Sequence, residues 1–167
     1  FFEYAYCTAV ERLLKIEVSA RAERVRLILM ELSRMASHLR FMVRIAKATG
    51  LIPASHYCAR DREKILDLLE LATGARFCTH FFRIGGLASE VTEGFIDRAL
   101  DVCNQLKLRV REYNDVLSFH PSFLVRTCLV GVLPSRLVEE FGISGPGARA
   151  SGIASDLRRE NSYSHYS

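Results

Sequence analysis

Arg76, Cys78, His80 and Arg83 fall within GARFCTHFFRIGG, residues 74–86, the densest gathering of chemically versatile side chains in the sequence. A guanidinium offers a permanent charge and a planar fork of donors for anions. An imidazole changes charge near neutrality, and a thiol supplies a nucleophile or a redox group. Glycines bound the stretch, and its aromatic content favours an extended backbone. Extended, residues 76, 78 and 80 point to one face, able to solvate an anionic or redox-active group. An arginine-lined subunit contact accounts for the same residues.

A second stretch, GISGPGARASGIASDLR at 142–158, carries Gly145, Arg149, Asp156 and Arg158. It is no Walker loop, because no GK[ST] follows, and no dinucleotide fingerprint, because no strand-turn-helix unit surrounds it. Gly145-Pro146-Gly147 predicts a tight, fixed turn that Arg149, Asp156 and Arg158 can cross-link. The loop either lines a cofactor held by another chain or is purely structural. Glu31, Arg34 and His38 lie one helical turn apart, a spacing that predicts an ion pair and a hydrogen-bonded histidine packed on a neighbouring helix rather than a proton relay. The histidines at 38, 56, 80, 120 and 165 form no HExxH pair, and the cysteines at 7, 58, 78, 103 and 128 form no CxxC pair. No metal or cluster site is expected within this chain, and no GxSxG nucleophile elbow is present.

Helices must position these groups. Apolar spacing predicts helices over residues 3–15, 21–48, 61–73 and 92–117, with Gly50 and Pro53 ending the second, Asp61 capping the third and Gly74 stopping it. Residues 77–86 and 124–133 read as short extended pieces, 135–141 as a single short helix and 142–152 as a loop. The expected fold is mainly α, a bundle of about four helices with short extended segments.

Composition narrows the class. The 167 residues are 49% hydrophobic and 25% charged, which excludes disorder, and no apolar run reaches a membrane-spanning length. The net charge of +4 arises from 23 basic and 19 acidic residues without a block of like charge, so nucleic acid is not an expected partner. Arginine outnumbers lysine 19 to 4, an excess suited to ion pairs at subunit interfaces or set by genomic base composition. The odd cysteine count without a secretory segment reads as reduced and intracellular. A first residue other than Met and a Ser/Tyr/His-rich end read as part of a longer polypeptide.

The order of motifs carries a resemblance. AYCTAVERLL at 5–14, RAERVRLILMELSRMASHL at 21–39, RDREKILDLLELATGAR at 60–76, FFRIGGLASEV at 81–91, FLVRT at 123–127 and GISGPGARASGIASDLRRENSYSHY at 142–166 look like consecutive blocks of the 49 kDa subunit family of respiratory complex I, an NADH-quinone oxidoreductase. That family is similar in fold to the large subunits of membrane-bound nickel-iron hydrogenases, which share GPxARASGxxxDxR. The resemblance implies that residues 1–167 are the central helical part of such a subunit and a fragment of a larger hydrogenase-large-subunit-like fold. The N- and C-terminal parts of the family are then absent. It further implies an NADH or ferredoxin to quinone oxidoreductase, inactive as this chain alone, that couples electron transfer to proton translocation. Quinone is the implied substrate, while FMN and the iron-sulfur clusters belong to partner subunits and none is bound by this chain alone. The implied partners are the iron-sulfur subunit, other peripheral-arm subunits and membrane-arm subunits, with no nucleic acid. The implied location is the cytoplasmic face of the bacterial inner membrane or its organellar equivalent.

By the same resemblance Arg76, Cys78, His80 and Arg83 are proximal to the quinone cavity or the cluster, and Arg126, Gly145, Arg149, Asp156 and Arg158 belong to a structural or cavity loop. Two departures stand out. Where the family reads Asp-x-Gly-Ala-x-Thr-Pro this chain has Ala48-Thr49-Gly50-Leu51-Ile52-Pro53, and Cys78 occupies the position of a redox-linked histidine. A hydrogenase large subunit and a noncatalytic scaffold are the alternatives; CxxC pairs at both ends of a full gene would mark the first.

Overall fold

The computed structural model describes residues 1–160 and 162–166, so that Asn161 of the last motif block lies outside it. Two compact units make up the fold, residues 1–123 and 124–167. The first begins with α1 (Phe2–Leu14), which stops at Lys15 in the left-handed conformation, φ 55°. The Ser19 hydroxyl then accepts the Ala22 N–H at 3.2 Å and starts α2 (Ala20–Ala48). At 1.5 Å per residue its 29 residues run roughly 44 Å. Gly50 at φ 79° breaks the chain, and α3 (Ile52–Thr73) returns with Pro53 in its first turn.

Here the structure corrects the sequence reading. Pro53 opens α3 instead of closing α2, because a first-turn proline loses no helical hydrogen bond and has its φ preset. Asp61 is therefore no cap; it is a fully buried mid-helix residue. Gly74 does end the helix, left-handed at φ 78°. α2 and α3 pack against each other, and Leu29, Leu32 and Ala36 of the one and Ile65, Leu66 and Leu69 of the other are all buried.

Residues 77–86 are not a continuous strand. Only Phe82–Arg83 (β1) pairs, antiparallel, with Gly86–Leu87 (β2). Cys78 and His80 both take positive φ, 50° and 43°, so the alternation that would align 76, 78 and 80 is lost. Next, α4 (Phe95–Tyr113) passes into one turn of π-helix, Asn114–Ser118, which places Leu117 against Ala46 and Ala54.

α5 (Pro121–Thr127) spans the division between the units. Its helical Leu124–Thr127 overturns the β-like reading of 124–133: Pro121 supplies a helix start, and β-branched residues without a partner strand do not fix a strand. In the second unit α6 (Ser135–Glu140) matches the expected short helix, while the glycine-rich stretch holds α7 (Pro146–Ala150) and is followed by α8 (Leu157–Glu160). Val138 and Ala148 are its buried apolar side chains among the described residues. No helix among the described residues is long and apolar enough to cross a membrane.

Candidate functional site

Side chains, more than strand pairing, hold the hairpin. Arg26 lies on the apolar stripe of α2 and is fully buried. Its Nη1 and Nη2 donate to Glu11 at 3.1 and 2.7 Å, and Nη2 also donates to the carbonyls of Arg83 and Gly86 at 2.7 and 2.9 Å. Glu11 accepts the Gly85 N–H at 2.8 Å, and Glu3 accepts the Phe82 N–H at 3.1 Å. Gly85 takes φ 86° at the second central position of the turn, where a left-handed residue is needed. The Arg26 bonds, helped by the Gly85 amide, hold the Glu11 carboxyl below its ordinary value in spite of burial. Burial alone would lower the Arg26 pKa, but the bonds and charge of Glu11 and the charge of Glu23 outweigh it and raise it. α1, α2 and the hairpin thus meet on one buried charge pair.

The predicted quartet is divided by this geometry. Arg76 turns back onto α3, donating to Asp67 at 2.5 Å and Glu70 at 3.2 Å and pairing with Glu63. These bonds, that to Asp67 foremost, raise its pKa. Cys78 and Thr79, with Arg40, Arg62, Leu66 and Arg76, line an opening of about 320 Å³. His80 is exposed and outside that lining. Arg83 is also exposed, with Nη1 donating to the carbonyls of His80 and Phe82 at 2.5 and 3.1 Å. The opening thus carries a thiol, three guanidinia and the Glu3 carboxylate, with Arg76 already paired to acids of α3, while Arg83 stands apart from it, bonded to backbone oxygens.

In the second unit the loop residues form two separate ties. Asp156 accepts from Arg158 Nε and Nη2 at 3.0 and 2.7 Å, whereas Arg149 donates to the Ser155 carbonyl at 3.1 Å and not to Asp156. Gly145, φ 71°, leads directly into α7, so Gly145-Pro146-Gly147 opens a helix where a tight, fixed turn was expected. Arg126 lies exposed in the last turn of α5. Elsewhere, Arg34 pairs with Glu31 as expected, but His38 is exposed instead of packed on a neighbouring helix. No three His, Cys, Asp or Glu side chains converge as a metal site among the described residues.

Comparison with known proteins decides the family. Residues 48–167, which include α3, the segment 76–83 and the whole glycine-rich loop, match the respiratory-chain NADH dehydrogenase 49 Kd subunit family. The chain belongs to that family. Among relatives, an NADH-quinone oxidoreductase subunit of Chlorobium phaeovibrioides is 41% identical over 98% of this chain and 41% of its own length. Its counterpart in Solibacter usitatus is 42% identical over 96% of this chain and 44% of its own. A chloroplastic NAD(P)H-quinone oxidoreductase subunit of Daucus carota is 42% identical over 99% of this chain and 42% of its own. The chain thus spans about two-fifths of the length of the curated relatives it matches. In fold it superposes with a TM-score of 0.90, at 26% identity and over 94% of its length, on 42% of a polypeptide in the membrane-bound sulfane sulfur reductase, an archaeal respiratory membrane complex.

Within this 49 Kd-type chain several residues escape a reading by motif. Arg26 had a signal, a charge inside the apolar stripe of Val25, Leu29 and Leu32, which only a buried partner permits. Asp61 is the other case. Its carboxylate accepts Tyr113 Oη at 2.6 Å and Arg60 Nε and Nη2 at 3.1 and 3.0 Å, with Lys64 Nζ at 3.5 Å. Burial opposes its charge, but the Arg60 and Tyr113 bonds win and lower its pKa. The same burial, with Asp61 beside it, pushes the Cys58 thiol up to about 11 and raises the Tyr113 phenol. Neither group ionises near neutrality, so this cluster ties α4 to α3 without titrating.

Proposed function

We propose that this chain serves as the central part of the 49 Kd-type subunit of an NADH or ferredoxin to quinone oxidoreductase, lining the quinone-reduction cavity beside the terminal iron-sulfur cluster of a partner subunit. The observation that carries this reading is the 41–42% identity, across nearly the whole chain, to relatives named as quinone oxidoreductase subunits. Arg83, which no carboxylate pairs with among the described residues, supports it, since fixed positive charge favours electron gain at a nearby acceptor. In this role Arg76, Cys78, His80 and Arg83 are proximal to the cluster or cavity. Arg126, Gly145, Arg149, Asp156 and Arg158 hold a cavity loop. Quinone is the substrate, and FMN and the clusters sit in partner chains. The partners are the iron-sulfur subunit, the remaining peripheral-arm subunits and the membrane-arm subunits, at the cytoplasmic face of the membrane or its organellar equivalent.

The similar fold in a sulfane sulfur reductase favours a second reading, in which the same cavity serves an acceptor other than quinone. Ala48 and Cys78, which replace an acid and a histidine of the family pattern, fit that reading equally well. The complex purified from its source and assayed with a short-chain quinone and with polysulfide distinguishes the two. Quinone turnover without polysulfide turnover is expected. Polysulfide turnover alone would overturn the quinone assignment, and CxxC pairs at both ends of the full gene would replace it with a hydrogenase.

A further inference from the structure

The even charge distribution of the whole sequence conceals a local segregation. Between residues 32 and 60 there is no aspartate or glutamate, against five arginines or lysines. Two of these are neutralised: Arg34 pairs with Glu31 and Arg60 with Asp61. The other three, Arg40, Arg44 and Lys47, recur at helical spacing along the second half of α2, a ridge with Ser37, Phe41 and Ala48 in which every residue is exposed. Among the described residues none of the three cations has an ion-pair or side-chain hydrogen-bond partner.

At Arg40 the ridge meets α3 across a cleft. An opening of about 310 Å³, lined by Arg40, Val43, Ala59, Arg62 and Phe77, adjoins the one already described, and the two share Arg40, Arg62 and Phe77. Arg62 is recessed, its side chain 17% exposed. Its guanidinium lies 5.3 Å from the centre of the Phe77 ring, and its Nε is buried with no hydrogen-bond partner among the described residues. The carboxylate that it meets, Glu63, sits at 3.3 Å and is itself half exposed. Two guanidinia facing one cleft repel each other unless an anion lies between them, and a planar guanidinium fork matches a carboxylate best.

We propose that this ridge and cleft dock an acidic segment of a partner subunit, with an Asp or Glu side chain entering between Arg40 and Arg62 and further carboxylates running along Arg44 and Lys47. Charge complementarity sets the sign of the occupant. The recess selects its kind: Arg40, Arg44 and Lys47 are exposed, but Arg62 is withdrawn between α2 and α3, where a single side chain reaches it and a flat bilayer surface does not. Membership of a family named for a subunit of a larger dehydrogenase supplies the setting. The inference holds whichever acceptor the cavity serves, so its failure leaves the quinone reading untouched and the converse is equally true.

The test uses the complex purified from its source organism. Carbodiimide joins an amine to a carboxylate in contact with it, and Lys47 is the ridge's one amine. Peptide mass spectrometry is expected to find Lys47 joined to an Asp or Glu of another subunit. The paired substitution Arg40→Gln and Arg44→Gln, at exposed side chains, is expected to lower by about half the salt concentration that releases the chain from the complex. Lys47→Arg keeps the charge, so it should abolish the cross-link and leave that concentration unchanged. A complex whose salt release is the same in the paired variant, or in which Lys47 joins no other subunit, overturns the proposal. So does a variant that stays assembled but loses binding to phosphatidylglycerol vesicles, which would make the ridge a lipid contact.

Discussion

Arg76 and Arg83 carry the same formal charge and deliver it differently. Three carboxylates surround Arg76, so much of its field is cancelled before it reaches a neighbouring chain, while Arg83 donates to backbone carbonyls. Placed beside a partner's cluster, a fixed cation stabilises the reduced form, and its removal lowers the midpoint potential. For a one-electron couple ~59 mV is a tenfold change in equilibrium constant. Arg83→Met is therefore expected to lower the terminal cluster's potential by tens of millivolts, and Arg76→Met by clearly less, in an EPR-monitored redox titration of the assembled complex. Null shifts in both variants would remove both residues from the cluster's neighbourhood. The sequence makes the two arginines look equivalent, because the partners of Arg76 lie on α3, six to thirteen residues away, and only the left-handed exit at Gly74 turns it back on them.

Helices α1, α2 and α4 are legible from apolar periodicity, since each buries one stripe. The early start of α3 is not, because Pro53 reads equally as a stop or as a first-turn residue until the Gly50 break is seen. The hairpin is less legible still: its hydrogen bonds go to Glu3, Glu11 and Arg26, far away in sequence, and no local pattern announces them. That dependence has a pH signature. Glu11 has a depressed pKa in the folded chain, so its stabilising contribution is complete above the ordinary Glu value of about 4.3. It fades as pH falls through the lower folded value. Protection of the Gly85 amide from hydrogen exchange, taken relative to the intrinsic rate at each pH, is expected to fall over that acid range, whereas Glu11→Gln should be less protected already at neutral pH and lose the acid dependence. An amide that stays protected in the variant would show that the glutamine oxygen accepts it as well and that the Glu11 charge is not what holds the turn. Arg26→Met, which leaves Glu11 buried without its cation, should destabilise the first unit by about 3–5 kcal/mol in a denaturant titration.

At the scale of the whole molecule the exposed apolar side chains matter most. Phe2, Leu13, Leu108, Val125, Leu129 and Phe141 are each more than two-thirds exposed, far from the pattern of a surface built only for water. Expressed alone, the 167-residue chain is expected to self-associate, and light scattering should show species larger than a monomer; a monodisperse monomer with one cooperative melting transition would contradict this. The buried charge pair under the hairpin also orders events in time. Glu3, Glu11 and Arg26 all leave the ribosome before Phe82, Arg83 and Gly85, so the docking platform exists before the segment that must settle on it. The segment nearest the proposed cavity has almost no structure of its own to form and closes a loop of more than fifty residues when it lands, a slow, non-local step. Loss of the first eleven residues would leave every residue of 76–83 in place in the sequence and take away the template on which they acquire a shape.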